Sequence, residues 1–566
     1  MTFVAFLPTL GNGFVGGWDD NTNLVDNLDY RGLGWRQLRW MFSAFVLCHY
    51  QPLTWLTFGL DYVLWGMNPV GYHLTSLMLH MATTVVFYAV AVRLLAAALP
   101  AVGDPIAAKL GAAVAAVLFA VHPLRVESVA WATERRDVLC GLFYLLAVLA
   151  YLRACKGAAG EGLWQQRWYW GAVALGGLAL LSKSMAVSLP VVLLVLDVYP
   201  LGRLGGRAGW RGEVGWRVLM EKAPFVVLSG AASVIALKAL DAGNVLIAQL
   251  SALDRVAISL YSLVFLLWKM VVPLTLSPLY ELPVRIEPLS WPYVGAAVVV
   301  VTISATAFRL RRRCPGLAAV WVSYVVILLP VLGIVQNGGS QIAADRYTYV
   351  AGLGWALLAG AGMEAWVAAE RRRLVRPQRA MVLGGAAVAV IAVALGALTW
   401  RQAQVWHDPK SLWTHALSTH PSAIAYHNLG VLIFRQGELA EAVRHYRQAV
   451  ALKPDYAAAE THLGVALFQL GELAEATRHL RRAVDLDPES VEARTNLGVA
   501  LFKQGDLLKA AEHLRHAVAT EPGSAEAQYN LGLVLEGLGR QSEAIEHYRR
   551  AQKNRDQMPT GGGSTK

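Results

Sequence analysis

The sequence predicts an all-α protein in two parts: a polytopic transmembrane helical bundle, then a C-terminal α-solenoid of helical repeats. Three observations carry this. Of 566 residues, 56% are hydrophobic and only 16% are charged, where a soluble chain carries about 25% charged residues. The deficit is confined to residues 1–400, which run as long apolar stretches between short polar loops. Beyond Arg401 the chain turns polar, and a motif recurs at a fixed period.

A helix needs about 20 apolar residues to cross a bilayer. Candidate spans are 1–18, 72–98, 106–121, 138–153, 168–182, 185–200, 223–240, 255–275, 291–309, 317–335, 347–369 and 381–400. The first contains Pro8, Gly11 and Gly13, has no charged n-region, and reads as a span cut short at its start rather than a signal peptide. The net charge of +11 sits largely in loops between spans: Arg203, Arg207, Arg211, Arg217 and Lys222, then Arg309 to Arg313, then Arg371 to Arg379. Short basic loops mark the cytoplasmic side of a membrane protein, so no nucleic-acid partner is implied. With 154–167, 203–222, 309–316 and 370–380 inside, the loops 19–71, 122–137, 182–185 and 336–346 face out, as does the C-terminal domain. This requires one candidate not to cross. Segment 255–275, with Arg255, Lys269 and Pro273, suits a re-entrant or interfacial helix; the alternative is that 1–18 does not cross, which puts Asp19 inside.

Two outer segments read as helices lying on the membrane surface or packed on the bundle: 35–47 pairs Arg36 and Arg39 with an aromatic face, and 50–66 carries Trp and Tyr suited to the interface. Cys48, Cys140, Cys155 and Cys314 are scattered, with no CxxC pair, and give neither a disulfide framework nor a zinc site.

In the polar part Leu-Gly recurs at Leu429-Gly430, Leu463-Gly464, Leu497-Gly498 and Leu531-Gly532. On the same period stand Gly437, Gly471, Gly505 and Gly539; Ala442, Ala476, Ala510 and Ala544; and Pro454, Pro488 and Pro522. This is the tetratricopeptide pattern. Four repeats cover 423–556, a connecting and capping helix lies in 401–422, and 557–566 is a flexible tail. Such stacks form a groove for extended peptides. Asn428, His462, Asn496 and Asn530 share one repeat position and are candidate acceptor-peptide contacts, although Asn is common there in any repeat.

Polar residues at a membrane's edge are costly and usually functional. Four clusters stand out. Trp18-Asp19-Asp20-Asn21 follows the first span, and either carboxylate suits a general base or a turn cap. The loop 122–137 holds His122, Arg125, Glu127, Glu134, Arg135, Arg136 and Asp137, as a salt-bridged cap or as a sugar-phosphate site. Lys183 sits between two spans, as an interfacial anchor or a phosphate ligand. Gln341 to Tyr349 contains Asp345, Arg346 and Tyr347, either as an Asp345–Arg346 pair or as a grip on a lipid phosphate.

These clusters and repeats resemble a known family. The strings are FVGGWDDNTNLVDN (14–27), QPLTWLTFGLDYVLWGMNPVGYHLTSLMLH (51–80), FAVHPLRVESVAWATERRDVL (119–139), LLSKSMAVSLPVVLLVLDVYPL (180–201) and GSQIAADRYTYV (339–350). They are similar to those of GT-C type multi-pass glycosyltransferases, and within them to the transmembrane O-mannosyltransferases with tetratricopeptide repeats and their bacterial relatives. The resemblance implies a GT-C-like bundle over 1–400, a polyprenyl-phosphate-linked sugar donor and a Ser/Thr hydroxyl acceptor on a protein. It implies an acidic base in the first outer loop, Asp19 or Asp20. The donor and its phosphate then fall to His122, Arg125, Glu127, Arg135, Arg136, Lys183, Arg346 and Tyr347. No metal or other cofactor is demanded, since basic side chains can carry the leaving phosphate. The Ala/Gly/Arg-rich composition suggests a bacterial inner membrane, with the repeats in the periplasm. Two other functions stay open: a non-catalytic scaffold that assembles envelope complexes through its repeats, and a transferase acting on glycans or glycolipids.

Overall fold

The computed structural model describes all residues except 17, 100–103, 158–161, 206–208, 211, 243–249, 334–340, 373–376 and 558–566. Arg207, Arg211, Arg373, Arg376 and the tail from 558 therefore lie outside the described residues. The chain forms two compact units, Met1–Leu412 and Trp413–Lys566.

The first unit is helical and belongs to a multi-pass membrane protein. Among the described residues five helices are long and apolar enough to cross: Pro69–Ala98, Ala132–Gly157, Glu213–Leu240, Trp291–Leu310 and Val382–Val405. Two bent pairs raise this to seven if each is one span. Pro105–Ala120 meets Pro123–Ala130 at 58°, and Asp345–Ala351 meets Leu353–Glu370 at 53°.

Among the described residues, length and composition thus support fewer crossings than the twelve expected. Residues 1–18 form no continuous helix: Pro8 opens a 3-10 turn, Leu7–Gly11, after a short helix Thr2–Ala5, and the backbone is extended at Asn12. Leu189–Val198 and Pro315–Leu328 are shorter than the expected 185–200 and 317–335, and Arg167–Ser182, though it fills its expected segment, has only 16 residues. At 1.5 Å per residue none reaches the ~30 Å of a hydrocarbon core. Segment 255–275 is a helix, Ala252–Val271, with a Ser251–Asp254 capping box. Its Lys269 ammonium donates to the carbonyl oxygens of Leu274 and Thr275 at 2.9 and 3.0 Å, so the charge caps the helix's own end.

The basic-loop argument also needs adjustment. Arg203 pairs with Asp197 at 2.9 Å and Glu221 at 2.6 Å, and Lys222 with Asp197 at 2.6 Å. These two cations are compensated inside the unit and add little open charge to the loop.

On the opposite side from that network in sequence, helices Trp35–Ser43 and Pro52–Trp65 follow the first loop. Trp55, Phe58 and Tyr72 pack with Leu24, Tyr30 and Met41 in one core cluster. Gly59 permits this packing, since a Cβ there would lie 2.6 Å from the Met41 methyl and 2.8 Å from the Gly32 carbonyl oxygen. Trp35, 81% exposed, points outward. A two-stranded antiparallel ribbon, Tyr280–Glu281 with Gln341–Ala343, leads into the turn Asp345–Tyr347.

The second unit is four helix pairs: Ala423–Arg435 with Leu439–Leu452, Ala457–Gln469 with Leu473–Leu486, Val491–Lys503 with Leu507–Thr520, and Ala525–Gly537 with Gln541–Gln557. Gly437, Gly471, Gly505 and Gly539 end each first helix with φ of +84°, +85°, +85° and +76°, where glycine pays no Cβ penalty. A Cβ on Gly430, Gly464, Gly498 or Gly532 would meet Tyr446, Leu480, Leu514 or Tyr548 at 2.6 to 2.7 Å. The repeated Leu-Gly is therefore the close approach of paired helices.

Candidate active site

The bends at 121–122 and 352 each interrupt a helix with polar residues, and their ion pairs knit the two interruptions together. Glu134, fully buried, is the hub. It pairs with Arg136, with Lys183 at 3.4 Å and with the Arg346 Nε at 3.3 Å. Glu127 pairs with the Arg346 guanidinium and accepts from the Arg346 backbone N–H at 2.8 Å. Asp137 takes Lys183 at 2.6 Å. Buried charges survive only when paired and hydrogen-bonded, and three carboxylates here face three cations. Lys183 therefore points inward rather than snorkelling. Asp345 does not pair with Arg346; it accepts from the Tyr280 hydroxyl at 3.0 Å.

Arg136, Lys183, Arg346 and Tyr347 line one end of a 510 Å³ cavity. Leu180, Leu181, Leu228, Ile235 and Val331 are among its apolar walls. A polar, cationic end with an oily extension fits an anionic headgroup on a hydrocarbon chain. Three of the expected donor residues serve elsewhere. Arg135, fully buried, is held by Asp61 at 2.5 Å and lies over the Phe58 ring. His122 uses both ring nitrogens, at 3.2 Å from the Leu124 amide and 3.0 Å from the Met270 carbonyl oxygen. Arg125 donates to Thr348 at 3.1 Å and packs over Phe119. All three brace helix ends.

The acidic pair after the first segment divides sharply. Asp20 is fully buried and accepts from the Val15 amide at 2.7 Å, the Thr133 amide at 3.1 Å and the Thr133 hydroxyl at 2.5 Å. Its carboxylate clamps the first loop to the turn before Arg135, and burial still pushes its pKa up to about 6. Asp19 is only half-buried, with no hydrogen bond among the described residues. Burial raises its pKa, while Arg136 and Arg346 pull it down and Glu134 opposes them, so it sits within the field of the cavity's cationic end.

Two features were not visible in the sequence. Trp18 stacks on Trp131 with centroids 4.4 Å apart, Trp131 on Trp406 at 5.5 Å, and the Arg346 guanidinium lies 5.6 Å from the Trp131 centroid. The other is His49, which lines the cavity from a tight hairpin in which Leu47 and Cys48 have φ of +47° and +62°. Neither residue type signals such a turn.

Known proteins bear on this arrangement. Tetratricopeptide repeat family models match residues 430–471, 464–505 and 495–559. "Protein O-mannosyl-transferase TMTC4" of Mus musculus is 26% identical over 495 residues, 79% of this chain and 65% of that protein. The Homo sapiens TMTC4 is 32% identical over 215 residues, 36% of this chain and 29% of its own length, and Homo sapiens TMTC1 25% over 452 residues, 72% and 48%. The chain resembles the protein O-mannosyl-transferases with tetratricopeptide repeats. It matches less than two thirds of the length of these relatives. Among solved structures, "Crystal structure of MamA" is 26% identical and covers 26% of this chain and 87% of that one, with a TM-score of 0.25.

The repeats of this O-mannosyl-transferase relative hold Asn428, His462, Asn496 and Asn530 half-exposed. Asn496 donates to the Glu492 carbonyl oxygen at 3.0 Å, and His462 meets His427 at 2.7 Å. The repeat position is shared, but its chemistry differs from repeat to repeat.

Proposed function

We propose that this chain is a membrane glycosyltransferase of GT-C type. It moves a hexose, mannose in the simplest reading, from a polyprenyl-phosphate carrier to Ser/Thr hydroxyls of proteins at the extracytoplasmic face. The observation that carries the reading is the cavity lined by Arg136 and Arg346, whose charges act on Asp19, a carboxylate with no hydrogen bond among the described residues. Asp19 is the base. It takes the acceptor's O–H proton while that oxygen attacks the anomeric carbon from the side opposite the phosphate, inverting the centre. Arg136, Lys183 and Arg346 balance the charge that grows on the departing phosphate. Asp20 does not touch the reacting atoms; its three hydrogen bonds hold the loop that presents Asp19. The names of the O-mannosyl-transferase relatives support the sugar and protein acceptor. The repeats recruit that acceptor, and the outer face corresponds to the periplasm of a bacterial inner membrane.

Reconstituted protein, a panel of polyprenyl-phosphate hexoses and a Ser/Thr-rich acceptor protein test this, with release of the lipid phosphate as readout. Asp19→Asn is expected to cut transfer by about 10²–10⁴-fold, the usual worth of a general base, while the protein stays monodisperse. Undiminished transfer in that variant removes Asp19 from the chemistry. A deletion strain with unchanged glycoproteins and altered glycolipids transfers the reading to a lipid acceptor.

A further inference from the structure

We propose that His49 is a phosphate ligand of the cavity, taking up a proton as an anionic headgroup enters and then donating its N–H to the oxygen that leaves. The proposal rests on the donor reading above and adds a second titrating group to it.

The backbone first. Val46 and His49 exchange both backbone hydrogen bonds, at 3.1 and 2.9 Å, closing a hairpin around two left-handed non-glycine residues. Such residues are strained and persist only where the surroundings enforce them. The hairpin sets His49 on the cavity wall next to Tyr50 and Gln51.

The side chain next. His73, His80 and His122 each use a ring nitrogen on a carbonyl or hydroxyl oxygen. The His49 ring makes no hydrogen bond among the described residues. The charged and titratable groups around it are Arg136 and Glu134 from the start of helix Arg135–Gly157, Lys183 from the turn before Ser184, Arg346 and Tyr347 from the turn Asp345–Tyr347, and Tyr50 on its own hairpin. Burial and then the Arg136 charge hold the imidazole well below its usual range, with Lys183 and Arg346 adding to this and Glu134 opposing it. Burial and these cations therefore keep His49 neutral at pH 7. An entering phosphodiester brings a negative charge to the same cations and offsets their pull on the ring, which favours protonation on binding. During transfer, the acceptor's proton passes to Asp19 and the new carbon–oxygen bond forms. The bond from the anomeric carbon to the phosphate oxygen breaks with its electron pair on the phosphate, which gains one negative charge. The imidazolium N–H meets that charge, its extra proton having come from solvent at the binding step.

The test is calorimetry on the full chain in detergent with farnesyl methyl phosphodiester, whose own phosphate stays singly charged across the pH range used. Titrations at pH 7 in two buffers of different ionisation heat count protons. Wild type is expected to take up most of about one proton per ligand. His49→Gln is expected to bind within about tenfold of wild type, with that uptake gone, and Asp19→Asn to retain it. Equal uptake in wild type and His49→Gln, or none in wild type, overturns the assignment. Failure of wild type to bind the diester overturns the donor reading instead. Where Gln at position 49 does not fold, the wild-type affinity decides. It should fall by up to tenfold per pH unit between about pH 6 and 8, and a flat profile is contrary to the proposal.

Discussion

At the scale of single residues, two adjacent aspartates show how burial assigns work that the sequence leaves open. Asp20 is saturated by donors, so its two oxygens must both accept. Asn there would turn an N–H toward either Val15 or Thr133. Asp20→Asn is expected to lower the melting temperature and to reduce transfer indirectly, with Thr133→Val a milder version; a variant as stable and active as wild type disproves the clamp. The pH dependence has a definite sign. A carboxyl whose folded pKa is raised to about 6, from 3.8, binds protons more tightly folded than unfolded. Its contribution favours the fold below pH 3.8 and is lost progressively as pH rises to about 6. Asp20→Ala or Asp20→Asn should flatten that part of the thermal-stability profile. For Asp19, also raised by burial, the proposed role as base requires the carboxylate. The kcat/KM profile should therefore fall, as pH drops, at an inflection above the ordinary Asp value, and Asp19→Glu should move it.

At the scale of elements, legibility followed period. The repeat helices could be read from Gly and Ala recurrence because the same close approach is made four times. Gly464→Val places branched carbon against Leu480, where a bare Cβ is already 2.6 Å away, and overpacking of this kind costs about 1–3 kcal/mol. The expected result is a lower-temperature loss of helical signal from the repeat unit. The membrane half was legible as apolar mass but not as spans. Hydropathy does not register that Pro8 breaks the first segment or that helices near 122 and 352 turn by more than 50°. Those bends carry the buried ion-pair network, and the loops singled out by composition supply it, whereas His122, Arg125 and Arg135 take other partners. Arg135 was unreadable for a plain reason: its partner Asp61 lies far away in the chain, on a helix whose polar residue looked like surface.

At the scale of the whole molecule, the two compact units have separate cores. A fragment carrying the four repeats is expected to fold alone and melt cooperatively by circular dichroism, since stacked repeats contribute their own nearest-neighbour stability; a fragment without helical signal contradicts this. In the first unit, Arg203→Ala leaves the buried Asp197 and Glu221 with Lys222 as the one remaining cation among the described residues. Breaking one partner of such a network typically costs about 3–5 kcal/mol, so the variant should extract as aggregate in mild detergent. Reporter fusions complete the picture at this scale. Residue 19 and the repeats must report the same side of the bilayer, and opposite sides end the transferase reading.

The stacked indoles of Trp18, Trp131 and Trp406 are a built-in optical gauge. Chromophores a few ångströms apart share their excitation, and a guanidinium over one face shifts the emission of the set. Movement of Arg346 toward an arriving anion should thus change the near-ultraviolet dichroism and fluorescence of the unlabelled protein, making occupancy observable without any sugar being transferred.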